Sequence, residues 1–205
     1  MLAYFVRHGE SETNVSGDFP DDDLKSPHLT LRGKEQAAEA GEMLSKVDIN
    51  AIISSPMPRT LETAEIISKK TGISVLVDNR LREVELGTLK GRSTAEVLKS
   101  DPEWFNEYFD ENYRYGIEKY WKIQDRMILT VKDTYQKGFK SVVFVSHLEP
   151  IRSIIAFSIG IGGQTVRKIK IYNASISILK YETSFELYAV NIRPLKDYSF
   201  LNIWH

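Results

Sequence analysis

Residues 2–14, LAYFVRHGESETN, decide the fold of this chain. The first five, LAYFV, are apolar and rich in β-forming side chains, and the polar cluster RHGESETN follows directly. An apolar run that ends in this way predicts a buried strand over 2–6 that feeds a loop. The run SVVFV at 141–145 repeats the pattern and is followed by SHLE. The chain therefore has two predicted buried strands, each with a polar loop at its end.

Further predicted strands and helices alternate along the chain. We predict strands at 51–54 and 74–77. We also predict three helices: one with Thr30 as its N-cap, one over 59–70 and one over 149–157. The tail alternates in strand fashion at 168–172, 175–181 and 185–191, which predicts antiparallel strands at an edge. The alternation predicts an α/β fold: a three-layer sandwich with a mostly parallel central sheet and helices on both faces.

The chain length bounds the domain organisation. With 205 residues, we expect one domain over 1–205. The sequence also indicates a helical insert at about 88–136 within that domain. A turn-rich segment is followed there by predicted helices at 94–100, 103–109 and about 116–136.

Composition excludes several classes of function. Lys plus Arg number 27 against 28 Asp plus Glu, a balance that argues against a nucleic-acid partner. The absence of cysteine removes disulfides, thiol nucleophiles and thiolate metal sites. Arg7 interrupts the first apolar run and Arg152 the most apolar later one, so we expect neither a signal peptide nor a membrane span. We expect a soluble cytoplasmic protein, and the sequence leaves open whether it forms a homodimer.

The ionisable residues that follow the predicted strands suggest a site. His8 and His147 follow strands 2–6 and 141–145, while Arg59 and Glu83 follow strands 51–54 and 74–77. Taken singly, each is an ordinary structural or surface residue. Because ligands bind where the carboxyl ends of parallel strands converge, we expect these side chains to be neighbours. Together with Arg7 they form a set suited to phosphoryl transfer without a metal.

Several segments of the chain together resemble one family. RHGESETN at 7–14 resembles the signature of the histidine phosphatase superfamily, which has the phosphoglycerate mutase-like fold. Five more segments are similar to those of the family and occur in its order: PHLTLRGKEQA at 27–37, SSPMPRTLETAEII at 54–67, LREVELGTLKG at 81–91, VSHLEPIR at 145–152 and NASISIL at 173–179. Ordered matches along the whole chain are far more specific than one short motif.

The resemblance implies catalytic roles for five residues. A neutral His8 nitrogen would attack the phosphorus of a small-molecule phosphomonoester, and water would then release phosphate. Arg7 and Arg59 would grip the phosphoryl oxygens, and His147 would donate to them. Glu83 would protonate the leaving oxygen and then activate water. The family's acid stands four residues before a glycine, which selects Glu83 with Gly87 and leaves Glu85 as the fallback.

The same resemblance implies groups that bind the substrate. Asn14 would donate its side-chain amide to phosphate, and Leu148 its backbone amide. Ser11 stands where threonine is commoner in the family. Gly9 would let the backbone turn closely past the phosphate, although a plain structural glycine is equally consistent. We expect no cofactor and no metal.

Two features concern the shape of the substrate pocket. Relatives typically have Gly-Gly after the second histidine, whereas Leu148 and Glu149 stand here and could narrow the pocket or repel anions. The insert holds many aromatic residues. Trp104, Phe105, Tyr108 and Phe109 recur at helical spacing and predict a core stripe. Tyr113 and Tyr115 lie outside that stripe and are the candidate substrate contacts.

The residues leave more than one function open. A mutase would return the phosphoryl group to a second hydroxyl, and its pocket should be strongly cationic. Residues 88–125 carry six cations against eight anions and no Arg-Arg pair, and Asp18 and Asp21–Asp23 follow the nucleophile, so we favour a phosphatase. A catalytically inactive binding protein and a metalloenzyme are further alternatives, the latter without any local ligand motif. The apolar tail FLNIWH at 200–205 predicts docking on the body or on a second subunit.

Overall fold

The computed structural model describes residues 1–21 and 27–194. Six strands and six α-helices are named here in chain order: β1 (Leu2–Arg7), α1 (Glu12–Ser16), α2 (Leu31–Leu44), β2 (Ala51–Ser54), α3 (Pro58–Thr71), β3 (Val75–Val77), α4 (Thr94–Ser100), α5 (Tyr120–Gln136), β4 (Ser141–Ser146), α6 (Leu148–Ser158), β5 (Ile176–Tyr181) and β6 (Phe185–Ile192). Short 3-10 turns cover Asn79–Leu81, Gly87–Leu89, Trp104–Tyr108 and Gly163–Lys168.

The strands form one sheet in the order β3-β2-β4-β1-β5-β6. The first four strands in that order are mutually parallel, and β5 and β6 are added antiparallel at one edge. This confirms the predicted α/β fold, with its mostly parallel sheet and antiparallel tail. Because β1 lies beside β4, with Arg7 opposite Ser146, the two loops that contain His8 and His147 leave the same edge of the sheet.

Helices cover both faces of the sheet because successive residues of a strand point to opposite sides. Phe5 and Phe144 face a core that α5 and α6 close, and their rings stack at 5.2 Å. Val6, Val143 and Val145 face the opposite core, which α2 and α3 close. This double burial explains why β1 and β4 are nearly continuous apolar runs.

Local sequence signals place the two helices of the second face. Thr30 is the N-cap of α2, and its side-chain oxygen accepts a hydrogen bond from the backbone N–H of Gly33. Pro58 begins α3, and Gly72 ends it in the left-handed conformation that glycine adopts without strain. Both helices therefore begin within a residue of where the sequence predicts them.

Helix α5 begins later than the sequence predicts. The expected helix at about 116–136 begins at Tyr120, and its residues Met127 and Val131 pack on the sheet. Helix α5 is therefore a layer of the sandwich, and the added material lies before it. That material packs on α6 and on Phe19, and the predicted helix at 103–109 is only a 3-10 turn.

The predicted strand at 168–172 is wrong. A 3-10 turn ends at Lys168 and an irregular segment follows it. The carbonyls of this segment bind side chains instead of a neighbouring strand: Arg152 donates to Ile169, Arg7 to Ile171 and Asn191 to Lys170. The alternation of Ile169 and Ile171 therefore reflects packing on the core rather than a strand.

Two sequence-based expectations concern the ends of the chain and a membrane. Across 1–21 and 27–194, no helix combines the length and the apolar character needed to cross a bilayer. The tail FLNIWH lies outside the described residues, so its predicted docking stays a prediction.

Candidate active site

A cavity of about 280 Å³ opens at the carboxyl edge of the parallel strands. Its described lining residues come from every segment that follows these strands and from the insert: Arg7, His8, Thr13, Asn14, Asp18, Phe19, Pro20, Arg59, Glu83, Val84, Leu86, Trp104, Tyr108, Leu148, Glu149, Arg152, Arg167 and Lys170. The cavity thus brings together four residues that the sequence singled out: Arg7, His8, Arg59 and Glu83. Its volume suits a small ligand.

The imidazole of His8 is held in one tautomer. Its Nδ1 lies 2.7 Å from the carbonyl oxygen of Gly9, which can only accept, so Nδ1 donates and Nε2 keeps its lone pair. The backbone N–H of Gly9 donates to Thr63 Oγ1 at 3.1 Å and fixes the loop to α3. The carbonyl that orients the ring is thus itself held in place.

The surroundings of His8 keep it uncharged. The side chain is 3% exposed, and burial lowers its pKa well below the usual 6.5; the cations Arg59 and Arg7 lower it further. A neutral imidazole with a free Nε2 is the form that can act as a nucleophile.

His147 lies beside His8 rather than on the cavity wall. The two ring centroids are 5.3 Å apart, and His147 is fully buried. Burial, followed by the charge of Arg59, lowers its pKa well below 6.5. Its Nε2 is 2.8 Å from Ser55 Oγ, whereas its Nδ1 makes no hydrogen bond to any described group. If Ser55 donates to Nε2, then Nδ1 has a hydrogen left to donate.

The two arginines are placed by different elements. Arg59 stands in the first turn of α3 and is 1% exposed, and Arg7 ends β1. Arg7 donates from Nη1 to the carbonyl of Ile171 at 2.7 Å, which leaves most of its fork available. Burial lowers the pKa of Arg7 to about 10, so the guanidinium still stays charged at neutral pH.

Asn14 is oriented by Ser11. Its Oδ1 accepts from the Ser11 backbone N–H at 3.1 Å, from the Ser11 hydroxyl at 3.1 Å and from Asn173 Nδ2 at 3.0 Å. Three donors on the oxygen fix the amide, so that its NH₂ group is the one left for a ligand. Ser11 is fully buried behind Asn14 and does not line the described cavity wall, so the structure makes it a positioning residue.

Glu83 rather than Glu85 faces the cavity. Its carboxylate accepts backbone hydrogen bonds from Leu148 (3.2 Å), Glu149 (3.2 Å) and Val84 (3.0 Å), so it sits at the start of α6. Glu85 is exposed and pairs with Lys90 on the surface.

The segment around Glu83 is held by α5. Arg126 of that helix donates to the carbonyls of Arg80, Arg82 and Glu83 at 2.5, 2.7 and 3.3 Å. Glu118 pairs with the same guanidinium at 2.9 Å. The acid is therefore fixed from both of the helices that cover this face of the sheet.

Two expectations about the segment after His147 change. The backbone amide of Leu148, expected to meet phosphate, donates to Glu83 instead. The charge of Glu149, expected to repel anions, is paired with Arg152 at 2.6 Å, one helical turn away on α6. Leu148 still lines the cavity with its side chain.

Gly9 is explained by packing. A Cβ at Gly9 would lie 2.2 Å from the carbonyl oxygen of Gly33, and a Cβ at Gly33 would lie 2.0 Å from that of Glu10. The loop that contains His8 and Gly9 therefore touches the first turn of α2 backbone to backbone. This contact supports the structural interpretation of Gly9, which is absent from the described cavity lining.

The candidate aromatic contacts lie elsewhere. Tyr113 is 61% exposed and stacks with Lys119, and the Tyr115 hydroxyl donates to Asp101 at 2.9 Å. Neither lines the cavity within the described chain. The aromatic residues that do are Phe19, Trp104 and Tyr108. The sequence assigns Trp104 and Tyr108 to a core stripe, and they serve both purposes because the core of this segment forms part of the cavity wall.

Sequence reasoning missed three cations on the wall: Arg152, Arg167 and Lys170. Arg152 stands in the segment VSHLEPIR, so its proximity to His147 was a usable signal. Lys170 lies in the segment wrongly predicted to become a strand, and Arg167 lies in the 3-10 turn just before it, where no motif marks either residue. In the described ranges, no group of three His, Cys, Asp or Glu side chains has the geometry to hold a metal ion.

Comparison with known proteins places the chain in a family. The model of the histidine phosphatase superfamily (branch 1) matches residues 3–191. A 2,3-bisphosphoglycerate-dependent phosphoglycerate mutase of Thermoplasma acidophilum is 31% identical over 183 residues, which cover 88% of each chain.

Solved structures agree on the fold. YhfR of Bacillus stearothermophilus superposes with a TM-score of 0.81 at 26% identity, covering 92% of this chain and 95% of its own. A mycobacterial glucosyl-3-phosphoglycerate phosphatase complexed with VO3 superposes with a TM-score of 0.81 at 24% identity, covering 93% and 98%. Both mutases and phosphatases thus occur among the proteins that this chain resembles.

Proposed function

This chain belongs to the histidine phosphatase superfamily, and from that premise we propose that it hydrolyses small phosphomonoesters through a phosphohistidine on His8. The observation that supports this most directly is the state of His8: a buried, neutral imidazole whose Nδ1 is fixed to the Gly9 carbonyl and whose Nε2 is free. This arrangement is suited to in-line attack on phosphorus.

In the proposed first step, Nε2 of His8 forms a bond to phosphorus as the bond to the leaving oxygen breaks. Glu83, protonated in the substrate complex, gives its proton to that oxygen, and the alcohol departs. Arg7 and Arg59 bind the phosphoryl oxygens and offset the charge that builds on them. Asn14 adds a neutral donor through its NH₂ group.

In the proposed second step, the Glu83 carboxylate takes a proton from water, and the resulting hydroxide oxygen bonds to phosphorus. The bond between phosphorus and Nε2 breaks, which releases phosphate and returns neutral His8. Glu83 is protonated again and ready for the next turnover. The backbone N–H groups of Leu148 and Glu149 stabilise its ionised state between the two steps.

The test is phosphate release from phenyl phosphate in excess chelator by wild type, His8→Ala and the matched control His28→Ala. His28 is an exposed histidine that pairs with Glu62 outside the cavity wall. We expect turnover by wild type and His28→Ala, none by His8→Ala, and an acid-labile phosphoenzyme on quenching. Release that persists in His8→Ala, or that the chelator abolishes, would contradict the proposal.

A second candidate function is phosphoglycerate mutase activity. The three cations Arg152, Arg167 and Lys170 on the cavity wall favour it. The charge count of residues 88–125, which argued against a mutase, does not include them. The Thermoplasma relative is named as such a mutase. Incubation with phosphoglycerate and its bisphosphorylated cofactor discriminates: a mutase interconverts the isomers without net release of phosphate. If neither reaction occurs, the inactive binding protein becomes the preferred interpretation.

A further inference from the structure

The acid Glu83 stands on a segment with no regular structure of its own. Between β3 and α4 the backbone forms two short 3-10 turns, Asn79–Leu81 and Gly87–Leu89, and residues 82–86 belong to no helix or strand. Backbone carbonyls away from water need hydrogen-bond donors, which must here come from other parts of the fold. The position of the Glu83 carboxylate therefore depends on the side chains that supply these donors.

Four successive carbonyls, those of residues 80–83, each accept a hydrogen bond from a side chain of another element. Arg126 of α5 donates to three of them, from Nη1 at 2.5 and 2.7 Å and from Nη2 at 3.3 Å. Ser146, the last residue of β4, donates its hydroxyl to the fourth, that of Leu81, at 2.7 Å. The segment is thus fixed both to α5 and to the strand that leads to His147.

The guanidinium of Arg126 is itself held in one orientation. Glu118 accepts from its Nε at 2.9 Å and from its Nη2 at 3.1 Å, and each of the two side chains is 17% exposed. Two parallel hydrogen bonds to one carboxylate fix the plane of a guanidinium, so the donors that face the carbonyls point in set directions. Glu118 also accepts from the backbone N–H of Glu85 at 3.3 Å, which extends the same array beyond the acid.

Arg126 acts on the site only from behind. It is absent from the described lining of the cavity, whereas Glu83 belongs to that lining. The Glu83 carboxylate accepts from the backbone N–H groups of Leu148 and Glu149 in the first turn of α6. The first N–H groups of a helix have no acceptor within the helix, so these two amides report where the carboxylate lies.

We propose that Arg126, assisted by Ser146, is a positioning residue for the reaction: it holds the Glu83 carboxylate at the place that the two proton transfers need and contributes little to binding of the phosphoryl group. The inference rests on the proposed function, because it gives Arg126 a share in the two steps that use Glu83. A displacement of about 1 Å at a reacting group, caused by a change far from the chemistry, can lower a rate about 10²-fold.

Amide hydrogen exchange, followed by NMR, tests the positioning without any turnover. The amide of Ile151 donates within α6 to the carbonyl of His147, so it serves as the internal reference. In Arg126→Met we expect the amides of Leu148 and Glu149 to exchange about tenfold faster relative to that of Ile151, because the acceptor that they share has moved. An unchanged ratio of these exchange rates would show that the carboxylate is still in place and would overturn the proposal.

Turnover of an alkyl phosphate tests the consequence for catalysis. Arg126→Met should lower kcat about 10–100-fold. In the Glu83→Gln background the same substitution should lower kcat no further, because it acts through that carboxylate. If the losses instead multiply in the double variant, Arg126 acts by another route and the proposal is wrong.

Affinity for phenylphosphonate separates positioning from a general loss of structure. This probe has no bridging oxygen for Glu83 to protonate, and the groups assigned to its phosphonate, Arg7 and Arg59, belong to β1 and α3. Calorimetric titration of Arg126→Met should therefore give an affinity within about twofold of wild type. A loss of affinity as large as the loss of kcat would indicate a purely structural role and overturn the proposal.

Arg80→Met is the matched control. Arg80 pairs with Asp133 of α5 at 2.6 Å and with Asp78 at 2.7 Å, so it ties the same segment to the same helix through carboxylates alone. We expect its exchange ratio and its kcat to stay within about twofold of wild type. Effects as large as those of Arg126→Met would show that any loosening of this contact suffices, which contradicts a specific role for Arg126.

Ser146→Ala provides a second test that holds even if Arg126→Met does not fold. It removes only the donor to the carbonyl of Leu81. We expect the same pattern at a smaller size, with kcat lowered about threefold to tenfold and phenylphosphonate affinity within about twofold. Loss of that affinity in step with kcat would again overturn the proposal.

The failure of this proposal and that of the proposed function are distinguishable. If wild type releases no phosphate from any monoester, the hydrolase is contradicted, and the exchange ratio alone decides whether Arg126 places the carboxylate. If wild type is active and the exchange ratio of Arg126→Met equals that of wild type, the positioning role is overturned and the hydrolase stands.

Discussion

Replacement of Glu83 by glutamine tests the assignment of the acid. The carboxylate accepts three backbone N–H groups, from Leu148, Glu149 and Val84. Glutamine keeps one acceptor oxygen and places an NH₂ group against at least one of those donors. We expect the free energy of unfolding to fall by about 1–3 kcal/mol, the cost of a buried donor left without an acceptor.

The catalytic effect of Glu83→Gln depends on the leaving group. An alkyl phosphate needs a proton on its departing oxygen, so we expect its turnover to fall about 10²–10⁴-fold. A nitrophenyl phosphate releases a stable phenolate that needs no proton. Its first step should persist in the variant, while the second step slows for lack of a base. The variant should therefore release one equivalent of nitrophenolate in a burst and accumulate phosphohistidine.

Rapid-quench kinetics on both substrates provides the assay, with Glu85→Gln as the matched control. Glu85 is exposed and pairs with Lys90, so its variant should keep alkyl phosphate turnover within about twofold. The reasoning is refuted if Glu83→Gln loses the nitrophenolate burst as completely as it loses alkyl phosphate turnover. It is equally refuted if Glu85→Gln proves the more damaging substitution.

Three further predictions concern His8 and the groups around it. Because the fold lowers the pKa values of His8 and His147, only the unfolded chain takes up protons on these two residues below about pH 6.5. The free energy of unfolding should therefore fall by about 2–3 kcal/mol from pH 7 to about pH 5.5. Urea denaturation at a series of pH values measures this, and an unchanged free energy of unfolding would contradict the prediction. Gly33→Ala should lower the free energy of unfolding by about 1–3 kcal/mol and remove most of the activity, since the new Cβ would lie 2.0 Å from the Glu10 carbonyl oxygen. Gly162→Ala is the control, because a Cβ at that position meets no atom within 4 Å. Melting and turnover assays should show neither loss for the control. Ser55→Ala should lower kcat about tenfold by freeing the His147 tautomer, and should lower the free energy of unfolding by about 1–3 kcal/mol because it leaves a buried ring nitrogen without its partner. An unchanged kcat would remove that role from Ser55.

Strong local patterns made the parallel core predictable. Strands β1 and β4 are apolar on both faces, so their runs stand out, and the residues that follow them must meet at one edge of the sheet. That topological rule brings together His8, Arg7, Arg59 and Glu83 in one cavity, with His147 directly behind His8. The roles of these residues remain proposals, which the experiments above test.

The rest of the site depends on long-range contacts that leave no local pattern. Residues 168–172 alternate like a strand, yet their carbonyls bind arginine side chains from distant elements. Arg167 stacks on Phe105, a partner far away in the sequence, and no spacing rule connects the two. The hydrogen bond from the Leu148 amide to Glu83 leaves no local pattern either, because its acceptor comes from another strand's loop.

The hydrogen bonds from Arg126 to the carbonyls around Glu83 determine which segments of this protein can be exchanged. The acid is anchored to α5, which belongs to the sandwich, whereas Trp104 and Tyr108 on the cavity wall belong to the segment that precedes α5. The acid and these two aromatic residues are thus held by different segments of the chain. Exchange of the segment between Leu89 and Lys119 for that of another family member should transplant a substrate preference while the phosphoryl-transfer apparatus stays in register.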